Sequence, residues 1–198
     1  GWYDIFLQGT LDNYVTMASA GKDARLLVGP WTHGIFRDPI GDLCFGAMAS
    51  RLYAPVHPHG DTNDFQLAWF RRHLTPDADV ALPDTPVRIF VMGRNEWRDE
   101  PAWPLARARM EPHYLRHDGG LTKDAPDTTA DVSTFAYDPA DPVPTVGGLL
   151  VMAAAYPAGP LDQAVVEARD DVLLFTSAPL EEEVEVTGRI RVVLHAAS

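Results

Sequence analysis

The sequence predicts an α/β segment followed by an all-β one, and three observations carry that reading. Apolar residues recur at helical spacing between residues 5 and 20, the short apolar run "ARLLVGP" follows close behind, and after Pro86 the pattern changes to β-rich runs separated by Pro, Gly and Asp. A helix beside a strand buried on both faces is what a parallel sheet requires. Alternating runs broken by turn residues instead predict a β-sandwich or jelly roll for the second half.

The elements follow in order. Leu7, Leu11, Tyr14, Val15 and Ala18 stand three and four residues apart, which puts them on one helical face, and Gly21 occupies the expected stop. "ARLLVGP" reads as the buried strand. From Thr32 to Gly60 the chain is rich in Gly, Pro, His and Asp without a sustained period, so irregular structure is predicted. "DTNDFQLAWFRRHL" opens on capping residues and carries Phe65, Ala68, Trp69 and Leu74 toward one side, a second helix. "TPDADVALPDTP" reads as a linker. Beyond it, "VRIFVMG", "EPHYLR", "DVLLFTS" and "EEVEVTGRIRVVLHA" read as strands, the last with Val184, Val186, Ile190, Val192 and Leu194 alternating against a largely polar face. "FAYDPADPVPTVGG" reads as a long ordered loop.

Composition narrows the function classes. With 46% hydrophobic residues in 198, the chain can bury a substantial core. No apolar run approaches the roughly 20 residues that cross a bilayer, so no membrane partner is expected. A formal charge of −12 without clustered Lys or Arg argues against nucleic acid. Cys44 stands alone, which excludes an internal disulfide and predicts a buried free thiol. The chain opens on Gly1 with no signal-peptide pattern, which reads as the continuation of a longer polypeptide and leaves compartment and oligomeric state open.

Chemistry concentrates at two positions, Asp4 ahead of the first helix and His33 just after the first strand. In an α/β-hydrolase the triad runs nucleophile, acid, base, each on a loop at the carboxyl end of a parallel strand. A carboxylate, a helix, a strand and then a histidine is the second half of that order. The imidazole takes the proton of a serine hydroxyl, and the carboxylate fixes its tautomer and stabilises the imidazolium.

Several blocks give that reading a family. "GWYDIFLQGTLDNY" and "LLVGPWTHG" resemble the acid and base motifs of the CocE/NonD serine hydrolases, which take in cocaine esterases, α-amino acid ester hydrolases and X-Pro dipeptidyl-peptidases. "AWFRRHL", "PVRIFVMGRNEWRDEPAWPLA", "YDPADPVPTVGG" and "GPLDQAVVEARDDVLLFTSAPLEEEVEVTG" resemble later blocks in that family's order. The resemblance implies an α/β-hydrolase end over 1–78, a linker over 79–85, and a truncated jelly roll, similar to the X-Pro dipeptidyl-peptidase C-terminal domain, over 86–198. It implies acyl-enzyme cleavage of a small-molecule ester or amide with no metal or organic cofactor. Asp4 would be the triad acid and His33 the base. Phe6 would line the acyl pocket, unless it is an ordinary core aromatic beneath the loop; Trp31 would pack the histidine loop.

Two departures stand against the family pattern. Ser19, Ser50, Ser133, Ser177 and Ser198 have Met17, Met48, Asp131, Phe175 and Ala196 two positions before them, so no G-x-S-x-G elbow occurs. The chain also stops at "VVLHAAS", where further jelly-roll strands are expected. An isolated chain of this kind is expected to be inactive.

Other readings are weaker. His57, His59 and Asp61 could ligate a metal, but their spacing is not that of a zinc motif. A β-sandwich module binding carbohydrate or protein would display aromatics, with Trp97 and Trp103 as candidates. The run Glu181, Glu182, Glu183 reads as a solvated strand start rather than a calcium site.

Overall fold

At the start of the chain the apolar spacing is realised almost residue for residue. In the computed structural model, which describes residues 1–53, 60–77, 79–127, 132–151 and 156–197, helix α1 covers Leu7–Ser19. It buries Leu11 and Tyr14, with Leu7 and Val15 packed partly buried beside them. The helix ends at Gly21, whose φ of 71° lies where side-chain-bearing residues are disfavoured. There the amides of Gly21 and Lys22 return to the carbonyls of Ala18 and Met17 at 2.9 and 3.0 Å. Strand β1, Leu26–Val28, follows.

Helix α2, Thr62–Leu74, is started by Asp61. The Asp61 carboxylate accepts the N–H groups of Asn63 and Asp64 at 2.7 and 3.2 Å, and Asp64 accepts the Asp61 N–H at 3.1 Å, a reciprocal capping box. Phe65, Ala68 and Trp69 are half-buried as their spacing predicts, but Leu74 is exposed. Asp23 meets both Arg72 and His73 near the helix end, at 3.7 and 3.2 Å.

Strand β2, Val87–Val91, lies parallel to β1 with Leu26 opposite Val87 and Val28 opposite Ile89; strand β3, Glu96–Glu100, runs antiparallel on its far side. The sheet therefore continues across residues 79–85. Trp2 and Tyr3 extend it on the other edge, their amides donating to the carbonyls of Gly29 and Trp31 at 2.8 and 2.9 Å, with Tyr3 bridging Thr32 in parallel. Period-two alternation then sorts the side chains. Leu26, Val28, Val87, Ile89 and Val91 face α1, Trp103 and Leu105, while Leu27 and Phe90 face Trp31, Ile40, Phe45 and Ala49 on the opposite side. The irregular stretch predicted from Thr32 onward thus forms the second covering layer, with one 3₁₀ turn at Ala47–Ala49.

The later β-rich runs depart from expectation. "EPHYLR" contributes only strand β4, Tyr114–Leu115, paired with β5, Leu121–Thr122; "DVLLFTS" contributes one bridge, Thr176 to Gly120. A short helix, α3, covers Ala164–Glu167. Residues 177–197 form no strand despite their alternation. Alternation makes a strand only where a ladder partner exists, and among the described residues no backbone hydrogen bond joins 182–196 to a neighbour. Val184, Val186, Ile190, Val192 and Leu194 are all more than half exposed. The polar side is tethered instead: Arg94 meets Glu183 at 2.9 Å, Arg98 grips Glu185 at 2.8 and 2.6 Å, and Arg189 reaches Asp12 at 2.6 Å. Cys44 is exposed, against the buried thiol expected, because it lies on the surface of the irregular layer rather than under it.

Arg98 joins this strap to the sheet. Its Nε donates to Glu100 at 2.6 Å, and Arg107 donates to the other Glu100 oxygen at 2.6 Å, so the buried carboxylate lies between two guanidinium groups. The Arg107 guanidinium first, then Arg98, hold the Glu100 carboxyl below its usual range against the opposing effect of burial. Arg98 holds Glu185 down to about 2, aided by Thr187.

Two measurements follow from this packing. Phe90 is 1% exposed and meets Phe45 and Trp97 edge-on, so Phe90→Ala is expected to cost about 3–5 kcal/mol of unfolding free energy in urea titration. Because the folded pKa of Glu185 lies below its unfolded value, its contribution is complete above the ordinary glutamate range and is lost as pH falls toward about 2. The gap in urea midpoint between wild type and Glu185→Gln should therefore be present at neutral pH and close on acidification; a gap that widens in acid would contradict the assignment.

Candidate active site

Parallel strands that lie side by side deliver their following residues to the same end of the sheet. Tyr3 and Thr32 are such neighbours, so Asp4 and His33, each one residue further on, emerge together. His33 Nδ1 lies 3.3 Å from both Asp4 carboxylate oxygens. The Asp4 side chain is 19% exposed and that of His33 45%, so the acid is sheltered beneath an imidazole that reaches solvent.

The backbone holds both partners. Asp4 Oδ1 accepts the Phe6 N–H at 2.9 Å, and the Leu7 N–H donates to the Asp4 carbonyl at 2.9 Å, which ties the acid to the first turn of α1. That helix end presents unpaired amides, a setting that favours a negative charge. Phe6 lies edge-on to His33, ring centres 5.1 Å apart at 68°, and is 56% exposed, so it is not a core aromatic beneath the loop.

His33 sits in a tight turn. The hydroxyl of buried Thr32 accepts the N–H groups of Ile35 and Gly34 at 2.9 and 3.3 Å, and the Thr32 N–H donates to the Ile35 carbonyl at 3.2 Å. Trp31, 6% exposed, packs beneath the turn, its Nε1 donating to the Ala49 carbonyl at 2.6 Å. Gly29 makes this possible, since a Cβ there would overlap the Trp31 indole. Thr32 escaped the sequence reading. Its one signal is local, a threonine directly before a histidine and a glycine, the composition of a side-chain-closed turn.

Nδ1 is turned to the carboxylate, and Nε2 makes no hydrogen bond to a described residue. An imidazole so arranged can accept a proton at Nε2 while the carboxylate stabilises the resulting cation. This is the chemistry of a general base and acid.

The remaining candidates separate from this pair. Asp61 caps α2, and His57 and His59 lie outside the described residues. Among the described residues no group of three or more His, Cys, Asp or Glu side chains is placed to hold a metal ion. Trp97 and Trp103 form no exposed platform: Trp103 is buried against Trp2, and Trp97 donates to the Met48 carbonyl at 2.8 Å between Trp31 and Phe90. No described helix is long and apolar enough to cross a membrane.

The geometry thus sets a carboxylate beside an imidazole where two neighbouring parallel segments end. Comparison with known proteins supplies the family. Residues 81–198 match the X-Pro dipeptidyl-peptidase C-terminal non-catalytic domain, a sheet-rich module. The whole chain is 37% identical over 206 aligned residues to the cocaine esterase of Rhodococcus sp. (strain MB1 Bresler), of which it covers 34%. It is 29% identical over 211 residues to proteins of Mycobacterium bovis and Mycobacterium tuberculosis provisionally named serine esterases Mb1866c and MT1883, covering 30% of each. The chain belongs to the CocE/NonD family and carries its C-terminal non-catalytic domain. It spans about a third of the length of these relatives, and Asp4, Phe6 and His33 all precede the matched domain.

The packing role of Trp31 is directly measurable. Trp31→Phe keeps the aromatic bulk but strands the Ala49 carbonyl, with an expected loss of about 1–3 kcal/mol in urea titration.

Proposed function

We propose that this chain supplies the acid and the base of a serine hydrolase that cleaves carboxylic esters or amides of small molecules through an acyl-enzyme. The observation that carries the reading is the contact of His33 Nδ1 with both Asp4 oxygens at neighbouring parallel-strand ends. The esterase names of the relatives support it. His33 takes the nucleophile's proton at Nε2, returns it to the leaving group, and repeats the cycle with water in deacylation. Asp4 holds the imidazole in the required tautomer. Phe6 lines the acyl side of the pocket, where its exposed ring flanks the base.

The nucleophile is proposed to lie on polypeptide corresponding to the remainder of the relatives' length, since no serine of this chain occupies a G-x-S-x-G elbow. Residues 1–78 are assigned to the end of an α/β-hydrolase domain, 79–85 to a linker and 86–198 to a jelly roll. The matched domain, which begins at residue 81, supports that division, together with the alternation at 184–194, while the β1–β2 pairing carries one sheet across the boundary.

The test is hydrolysis of an activated ester. The 198-residue chain alone should give no His33-dependent turnover, whereas a polypeptide that joins it to a G-x-S-x-G segment from the same gene should be active. His33→Ala should abolish that activity, and Asp4→Asn should lower kcat by about 10⁴ through the wrong tautomer. Full activity in either variant would sink the proposal.

A further inference from the structure

The sequence singles out a histidine and an aspartate but is silent on what holds the histidine in place. We propose that Thr32 is the positioning residue for His33: by fastening the amides of Gly34 and Ile35, its buried hydroxyl fixes the turn that presents Nδ1 to Asp4 and so decides which ring nitrogen carries the proton. Its meaning for catalysis rests on the acid–base reading above; the geometric claim stands without it.

His33 is bracketed by three hydrogen bonds that all involve Thr32. The Thr32 N–H donates to the Ile35 carbonyl, and the Thr32 Oγ1 accepts from the amides of both Gly34 and Ile35. The residue is 1% exposed, so water does not offer the Ile35 amide an equivalent acceptor at the hydroxyl. On its other side Thr32 bridges Tyr3 in parallel, the residue directly before Asp4. One residue therefore links the segment that delivers the acid to the turn that delivers the base.

Threonine suits this position for a steric reason. A Cβ built on Gly159 would lie 3.5 Å from the Thr32 methyl, which places that methyl against the glycine. A β-branched side chain has few χ1 options. With the methyl lodged there, the hydroxyl is directed at the amides of the turn. Segment 158–160 is itself clamped to the covering layer, the Asp42 N–H donating to the Pro160 carbonyl at 2.8 Å, and Ala158 is 1% exposed.

A mobile turn would let the imidazole rotate away from Asp4. Neutral histidine in water favours the tautomer protonated at Nε2, whereas hydrogen bonding to a carboxylate through Nδ1 selects the other. The tautomer thus reports whether the turn is doing its work, independently of any substrate.

The experiment is nitrogen NMR of the full chain with labelled histidine, recorded alkaline of the imidazole titration, with His33→Gln identifying the His33 signals. Wild type and Thr32→Ser, which keeps the acceptor, should show Nδ1 protonated and Nε2 bare. Thr32→Val, equal in size but without the acceptor, should shift His33 toward the tautomer mixture of free histidine. A Thr32→Val spectrum identical to wild type overturns the role of Thr32 alone. A wild type already showing the free-histidine mixture defeats the Asp4–His33 pairing itself, and the Thr32 role with it. Should Thr32→Val fail to fold, amide hydrogen exchange in the wild type decides: protected Ile35 and Gly34 amides are expected, and exchange at unprotected rates in the folded chain would refute the clamp.

Discussion

Everything at the candidate site depends on the parallel contact between Tyr3 and Thr32. Antiparallel neighbours would send the following residues to opposite ends of the sheet, and Asp4 and His33 could not meet. Parallel pairing demands a crossover, and α1 supplies it: the helix runs over the sheet face, buries Leu11 and Tyr14 against Leu26, Val28 and Ile89, and returns the chain at Gly21 to start β1. The hydrophobic stripe of α1 is thus a condition of the chemistry as well as of stability. Its burial fixes the helix whose first turn also holds Asp4.

The second covering layer divides labour among adjacent residues. Trp31 points down and anchors to Ala49, Thr32 points into the turn, and His33 points out toward solvent beside Phe6. Three consecutive side chains thereby serve packing, turn closure and the contact with Asp4. Segment 158–162 completes the arrangement from far along the chain. Its Asp162 N–H donates to Asp42 at 2.9 Å, so a segment of the matched C-terminal domain is fastened to the layer that carries the histidine turn.

Where the sequence was legible, the interactions were local or periodic. Helix α1 and its glycine stop, β1, and the Asp61 start of α2 depend on spacing and capping chemistry that a single segment contains. Asp4 and His33 were legible because a known order of elements places them. What was not legible depends on partners. Residues 184–194 alternate as a strand does, yet alternation states only which side chains share a face; the ladder needs a second chain segment at 4.7–4.9 Å, and the described structure offers none. The exposure of Cys44 and Phe6, and the inward turn of Trp97, are likewise set by neighbours distant in sequence.

The strap at 183–189 shows what replaces a ladder. Its odd-numbered residues Glu183, Glu185 and Arg189 reach Arg94, Arg98 and Asp12, which lie respectively just before β3, within β3 and on α1. Of these, Arg94–Glu183 and Arg189–Asp12 are between well-exposed groups and contribute little. Arg98–Glu185 differs because Arg98 is also bound to the buried Glu100, which fixes the guanidinium before Glu185 arrives and reduces the entropy lost on pairing. The strap is therefore hinged on one residue of the edge strand. The apolar even-numbered side chains Val184, Val186 and Ile190 remain exposed, so the segment is held to the fold by its charges while its hydrophobic face contributes nothing to this core. That separation of tether from burial is why side-chain pairing here gives position without secondary structure.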